Sequence, residues 1–298
     1  MTELHEKLIL QNEEITVQRD EIEQHRKQVE LQKDEIEIKN KNITDSIVYA
    51  SKIQNAILPK IEILNTVFPD NFVLFKPCDI VSGDFYFFKR INNFLIIAAA
   101  DCTGHGVPGA FMSMIANSLL NEIVNEKKVY LPRKILTILD KNIANVLNQK
   151  ESGNRDGMDV CLIRIEKIDN NSSKILFAGA KRDLYYYKES ESKIIRLKGS
   201  RKSVGGIFTS RSKAVFGNQE IIINSKDILY LSTDGYIDQN DKNRMRFGTQ
   251  RFMLILQEIA ALPLEDQKDL LLQLLHRFQQ SQKQRDDITI VGLKLNNL

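Results

Sequence analysis

The sequence predicts an α+β domain of two sheets covered by helix pairs, preceded by a long helical rod. Three observations carry this reading. An apolar residue recurs every seventh position through the first ~58 residues, short apolar runs cluster beyond residue 68, and amphipathic helical stretches lie between the clusters. A chain of 298 residues is long enough for one large domain and an appendage.

The rod occupies residues 1–58, which are highly charged and contain neither glycine nor proline. Leu8, Ile15, Ile22, Val29, Ile36, Ile43, Ala50 and Ile57 follow one another without a skip. Taken as the a positions of heptads, they place Gln11, Gln18, His25, Gln32, Lys39, Ser46 and Ile53 at d. A sustained seven-residue period implies a left-handed coiled coil, here a rod of roughly 80 Å. Polar d residues favour a defined register over raw stability. A second stripe (Leu10, Val17, Leu31, Ile38) lies on another face. The expectation is a parallel, self-associating coil, a homodimer, and the alternative is a solvated single helix supported by i,i+4 charge pairs. Pro59 ends or kinks the rod, because proline supplies no helical N–H.

Residues 59–298 form the predicted domain. Phe72–Phe75, Asp84–Lys89 and Phe94–Ala100 read as strands, broken by Gly83 and by the Ile91-Asn92-Asn93 turn. Helical periodicity follows over Gly109–Glu126 and over Pro132–Asn148, the latter opened by a first-turn proline. Further strands are expected at Asp159–Ile165, Lys174–Ala178, Leu184–Tyr187, Lys193–Leu197, Glu220–Ile223 and Asp227–Ser232. Helices Gln250–Ala260 and Leu264–Gln280 then precede a last strand, Ile288–Leu295.

The composition excludes several functions. A net charge of +3, without a dense basic patch interleaved with aromatics, gives no reason to invoke nucleic acid. Cys78, Cys102 and Cys161 are odd in number and widely spaced, so neither a disulfide framework nor a zinc site is expected. No signal peptide is evident, and the most apolar stretch, Phe94 to Ala100, is too short to span a bilayer. The expected setting is cytoplasmic, without direct membrane insertion.

Four aspartate motifs carry the chemistry: Ser82-Gly83-Asp84, Ala100-Asp101-Cys102-Thr103-Gly104-His105-Gly106, Thr233-Asp234-Gly235 and Asp286-Asp287-Ile288-Thr289. Each lies at the edge of a strand-like run. Asp101 ends the run from Leu95 to Ala100, and glycines 104, 106 and 109 follow it. Each aspartate taken alone is also a routine turn or cap residue. Four held at strand edges suit a pair of hard divalent cations, which prefer oxygen ligands and can activate water against a phosphate ester. A cysteine-phosphatase loop (Cys-x5-Arg) and a glycine-rich P-loop are both absent from the sequence.

In this order the motifs resemble those of the metal-dependent protein phosphatases, the PPM or 2C-type family, and most closely its bacterial stage II sporulation protein E and RsbU-like branch. The similarity runs from about Ile57 to the C-terminus. It includes Phe75-Lys76-Pro77, Asp79 to Tyr86, Gly104 to Ser113, Gly157-Met158-Asp159, Phe177 to Ala180, Thr233 to Tyr236 and Asp286 to Thr289. The resemblance implies an αββα sandwich with two Mn²⁺ or Mg²⁺ ions at one edge of the paired sheets. It implies that Asp101 bridges the metals, Asp234 and Asp286 complete one shell, Asp84 serves the other, and Cys102 contributes its backbone carbonyl. Where many relatives carry a histidine two residues after the bridging aspartate, this chain has Thr103, with His105 further on. The Ala180-Lys181-Arg182-Asp183 and Ser203 to Gly206 segments also depart from the usual pattern.

The implied reaction is hydrolysis of phosphoserine or phosphothreonine on a regulatory protein by metal-activated water, without a phosphoenzyme. The implied substrate is a phosphorylated anti-sigma-factor antagonist or similar partner-switching protein. The coil would carry a signal from an upstream sensor to the site. The alternative is an inactive phosphatase-like scaffold.

Overall fold

The computed structural model describes residues 2–206 and 215–295. It contains two compact units, Met1–Ala50 and Ser51–Leu298. The described residues of the first unit are all helical. Helix α1 (Thr2–Ile57) runs unbroken and stops two residues before Pro59. Its a positions from Leu8 to Ile43 are 49% to 66% exposed. Charge pairs one turn apart line the same rod, among them Glu23–Lys27 and Glu35–Lys39. Such pairs add only a few tenths of a kcal/mol each, about 0.2–0.5.

The second unit begins with α2 (Ile61–Val67), β1 (Asn71–Lys76), β2 (Asp84–Ile91) and β3 (Phe94–Cys102). Next come α3 (Gly106–Asn121), which runs into a π-helical turn at Glu122–Glu126, then α4 (Pro132–Val146) and α5 (Gln149–Ser152). Strands β4 (Gly157–Lys167), β5 (Ser172–Ala180), β6 (Leu184–Lys188), β7 (Lys193–Leu197), β8 (Val204–Gly205), β9 (Gln219–Asn224) and β10 (Ile228–Ser232) follow. The chain closes with α6 (Gly235–Asp238), α7 (Thr249–Ile259), α8 (Leu264–Gln279) and β11 (Ile288–Lys294).

Two antiparallel sheets result, as expected. One has the order β1-β11-β10-β6-β7, and the other β2-β3-β4-β5-β9 with β8 paired to β4. Their inner faces meet in one core, and each outer face carries a helix pair. This arrangement explains why the run Leu95 to Ala100 is apolar at every position. Leu95, Ile97 and Ala99 enter the core between the sheets, whereas Ile96, Ala98 and Ala100 pack under α3 and α4. Strand β10 behaves likewise: Leu229 and Leu231 point inward, while Ile228 and Tyr230 meet α7 and α8.

Elements α2, α5, α6 and β8 have no counterpart in the sequence reading. Each is only two to seven residues long, too short to show a hydrophobic period. The helix expected from Gly109 opens three residues earlier, at Gly106. No helix among the described residues is long and apolar enough to cross a membrane.

Candidate metal centre

Strand register brings the first carboxylates together. Asp84 opens β2 and pairs with Asp101 near the end of β3, and Asp101 pairs in turn with Asp159 on β4. Three acids thus stand abreast across one sheet edge. The other sheet presents Asp234, between β10 and α6, and Asp286 and Asp287, just before β11.

Thr233 ties the two sheets at this point. Its hydroxyl donates to Asp84 Oδ2 at 2.6 Å, and the Thr289 amide donates to the same hydroxyl at 2.9 Å. The adjacent acids divide their work. Asp287 is buried, accepting the amides of Cys78 and Gly83 at 2.7 Å each, so it straps the loop before Asp84 to β11. Asp286 is half-buried and accepts the Asp287 amide at 2.9 Å. The loop after Asp101 closes just as tightly. A Cβ on Gly109 would lie 2.1 Å from the Gly104 carbonyl oxygen and 2.9 Å from the Gly83 Cα, so only glycine fits where α3 meets both loops.

Arg182 occupies the middle of the cluster. Its Nη2 donates to Asp234 Oδ2 at 2.6 Å, Asp101 Oδ2 at 2.7 Å and Asp159 Oδ2 at 3.1 Å. The backbone presenting it is constrained. Lys181 adopts φ 53°, the Arg182 amide donates to the Ala180 carbonyl at 2.7 Å, and Gly179 and Gly199 leave space for the Arg182 carbonyl. One cation therefore gathers three carboxylates from three chain segments.

The electrostatics follow from burial and crowding. Burial raises the Asp84 carboxyl well above the usual carboxylate range; its Thr233 hydrogen bond opposes the shift and Asp287 adds to it. Asp101 is also raised well above that range, by burial and then by Asp84, with Arg182 pulling it back. Burial raises Asp286 as well, and Asp234 adds to the effect. A cluster of this kind favours a bound cation. The donor set consists of carboxylates, the chemistry of Mg²⁺ and Mn²⁺, and Arg182 occupies the place of a metal's positive charge. As arranged around the guanidinium, no group of three or more His, Cys, Asp or Glu among the described residues is set to hold a metal ion.

Cys102 ends β3 with its side chain in the core under α3, and burial raises its thiol well above the ordinary range. That environment suits packing, not redox chemistry. His105 stands at the entry to α3, mostly exposed, with Nδ1 2.8 Å from Asp79 Oδ2. That contact raises its pKa. Sequence reasoning singled out Asp84, Asp101, Asp234 and Asp286 but gave no role to Asp159 or Arg182. Asp159 lies within the quoted Gly157-Met158-Asp159 motif, which was the available signal. Arg182 showed only as a departure from the usual pattern.

Known proteins share the fold that carries this cluster. Residues 92–296 match the family model for stage II sporulation protein E (SpoIIE). The SiaA-PP2C domain of Pseudomonas aeruginosa is similar at 34% identity and TM-score 0.75, over 86% of this chain and 98% of that one. The RsbU and RsbW domains of a Mycobacterium tuberculosis protein share the fold at 18% identity and TM-score 0.59, over 76% of this chain and 60% of theirs. The PP2C phosphatase domain of SpoIIE from Bacillus subtilis does so at 17% identity and TM-score 0.55, over 76% and 62%. No curated protein matches the chain. With two antiparallel sheets between helix pairs and a family match over most of its length, the chain belongs to the SpoIIE-type family of PP2C phosphatase domains.

Proposed function

We propose that this chain is a metal-dependent protein phosphatase that hydrolyses phosphoserine or phosphothreonine on a regulatory protein. The observation that carries the reading is the convergence of Asp101, Asp159 and Asp234 on one cationic nitrogen, with Asp84 and Asp286 beside them. Asp101 would be shared between two cations, Asp234 and Asp286 would serve one, and Asp84 with the Cys102 carbonyl would serve the other. Bound there, Mn²⁺ or Mg²⁺ would supply Lewis acidity toward water and toward the phosphoryl oxygens. The chain's own residues position the donors. Thr233 fixes the Asp84 carboxylate, Asp287 fixes the Gly83 amide, and Arg182 balances the carboxylates until a metal displaces it. The RsbU-like resemblance supports a phosphorylated anti-sigma-factor antagonist or similar partner-switching protein as substrate. Three free cysteines fit a reducing cytoplasm.

The test is hydrolysis of p-nitrophenyl phosphate and of a phosphoserine peptide with Mn²⁺ and with excess chelator. Turnover that needs the metal is the expected result. No turnover, together with no Mn²⁺-dependent rise in the unfolding midpoint, would support the inactive-scaffold reading instead.

Regulation through residues 1–58 belongs to the same proposal. Gln54, near the end of α1, is buried. Its Nε2 donates to the Ser82 carbonyl at 2.6 Å and to Ser113 Oγ at 2.9 Å, and its Oε1 accepts the Ser82 amide at 3.0 Å. One side chain thus grips the residue two before Asp84 and also touches α3. A homodimeric coil responding to an upstream sensor would act through this grip. Replacing Ile36 and Ile43 by Asn is expected to convert dimer to monomer in sedimentation and to change turnover. Gln54→Ala is expected to change turnover with the association state intact. A proven monomer with wild-type turnover would sink the coil's regulatory role.

A further inference from the structure

A cleft of about 370 Å³ opens from the carboxylate cluster, within the size range of sites that hold small ligands. Asp101 and Asp159 line its inner part, and the exposed side chains of Arg155, Lys181 and Arg201 line it from three separate segments. The acids in this cleft are already engaged. Asp101 Oδ2 and Asp159 Oδ2 accept from Arg182, and Asp159 Oδ1 accepts from Ser203 Oγ at 2.6 Å. Lys181 Nζ stands 3.8 Å from Asp159 Oδ1, a loose contact. Asp156, beside Arg155, accepts from Thr103 Oγ1 at 3.0 Å and from Asn154 Nδ2 at 2.7 Å. Arg155 and Arg201 have no ion-pair partner among the described residues.

The cleft is also built, not merely open. Buried Gln149 donates to the Asp156 carbonyl at 2.6 Å and accepts the Gly206 amide at 3.0 Å. Gly157 pairs with Gly205 in the β4–β8 ladder. These contacts fix the loop carrying Arg155 against the segment that follows Arg201. Three exposed cations from separate loops are therefore held around a cleft that leads to the phosphoester site.

We infer that this cleft is a subsite for anionic groups flanking the phosphorylated residue, so that the substrate is an acidic phosphosegment. The inference rests on the phosphatase reading and narrows its substrate class. The anion is either an Asp or Glu side chain or a second phosphate; both offer oxygens that a guanidinium binds in fork geometry.

The experiment uses the full chain with Mn²⁺ and three fluorescein-labelled phosphoserine peptides. Their flanks are acidic, neutral, or doubly phosphorylated. Each exposed ion contact contributes up to about five-fold, so an acidic-to-neutral ratio in kcat/KM of about ten is expected. The ratio should fall toward one in R155A/R201A, and also in about 0.5 M NaCl, where charges beyond roughly 5 Å are screened. The larger ratio among the two anionic peptides identifies the source of the anion. Equal kcat/KM for all three peptides, or an acidic preference retained by the double variant, overturns the inference. Fluorescence anisotropy reads the same preference without turnover. Selective binding that R155A/R201A loses, in a chain that hydrolyses none of the peptides, would sustain the anion subsite while the phosphatase reading fails. Turnover without selectivity does the reverse.

Discussion

Replacing Arg182 by alanine should lower the unfolding midpoint of the metal-free chain by about 10 °C. The Arg182 side chain is 14% exposed, and its guanidinium is the shared partner of Asp101, Asp159 and Asp234. Removing one side of a buried ion pair costs about 3–5 kcal/mol, because the remaining charges lose compensation without regaining water. At about 2–4 °C per kcal/mol for a domain of this size, the shift is easily measured. The sign with pH is determined by the same carboxyls. Burial and Asp84 already raise Asp101 above its ordinary range while Arg182 holds it back, so losing the arginine raises it further. A carboxyl raised in the folded state is no burden at acid pH and costs stability as pH rises through its folded value. The deficit should therefore be smallest near the ordinary carboxylate range and grow toward neutral pH. Mn²⁺ should restore much of the loss, about 2.7 kcal/mol at a hundred times its Kd, and should bind the variant more tightly because no guanidinium must be displaced. Differential scanning fluorimetry with chelator and with Mn²⁺ checks both points. A variant that melts with the wild type in chelator would show that the three contacts carry no net stability.

The second large effect is on turnover. Asp101→Asn should reduce hydrolysis of p-nitrophenyl phosphate about a thousand-fold or more, the scale of losing a principal electrostatic contributor at a reacting phosphoryl group. Asparagine preserves shape, and its amide oxygen can still accept from Arg182, so the fold should survive. Removing the charge also relieves the pairing of Asp101 with Asp84 across the β2–β3 ladder. The metal-free variant should consequently melt no lower than the wild type, while titration calorimetry should register weakened Mn²⁺ binding. Near-normal turnover in the variant would remove Asp101 from the centre of the proposal.

Much of the architecture was legible because its signals are local. The seven-residue spacing from Leu8 to Ile57 marks α1, and Pro59 marks where it must stop. The unbroken apolar run Leu95 to Ala100 foreshadows a strand covered on both faces, and Asp101 at its end is placed by the strand itself. The short pieces were not legible. Four residues such as Gly235–Asp238 make one helical turn, and Asp-Gly reads equally well as a bend. In the Asp286-Asp287 pair, composition cannot tell the buried strap from the half-buried acid. That distinction depends on the Cys78 and Gly83 amides, more than two hundred residues away in sequence.

Period, run length and turn chemistry are carried by adjacent residues, which is why the layered α+β class, the helical rod and four aspartates at strand edges can be read along the chain. Which charges meet depends on the assembled sheets. Arg182 reaches Asp101 across 81 positions and Asp234 across 52, and Gln54 reaches Ser82 across 28. Such contacts are products of strand register and sheet packing. Hydrogen bonds act over about 3 Å and screened charges over about 10 Å, and separation along the chain says nothing about such distances until both sheets are assembled.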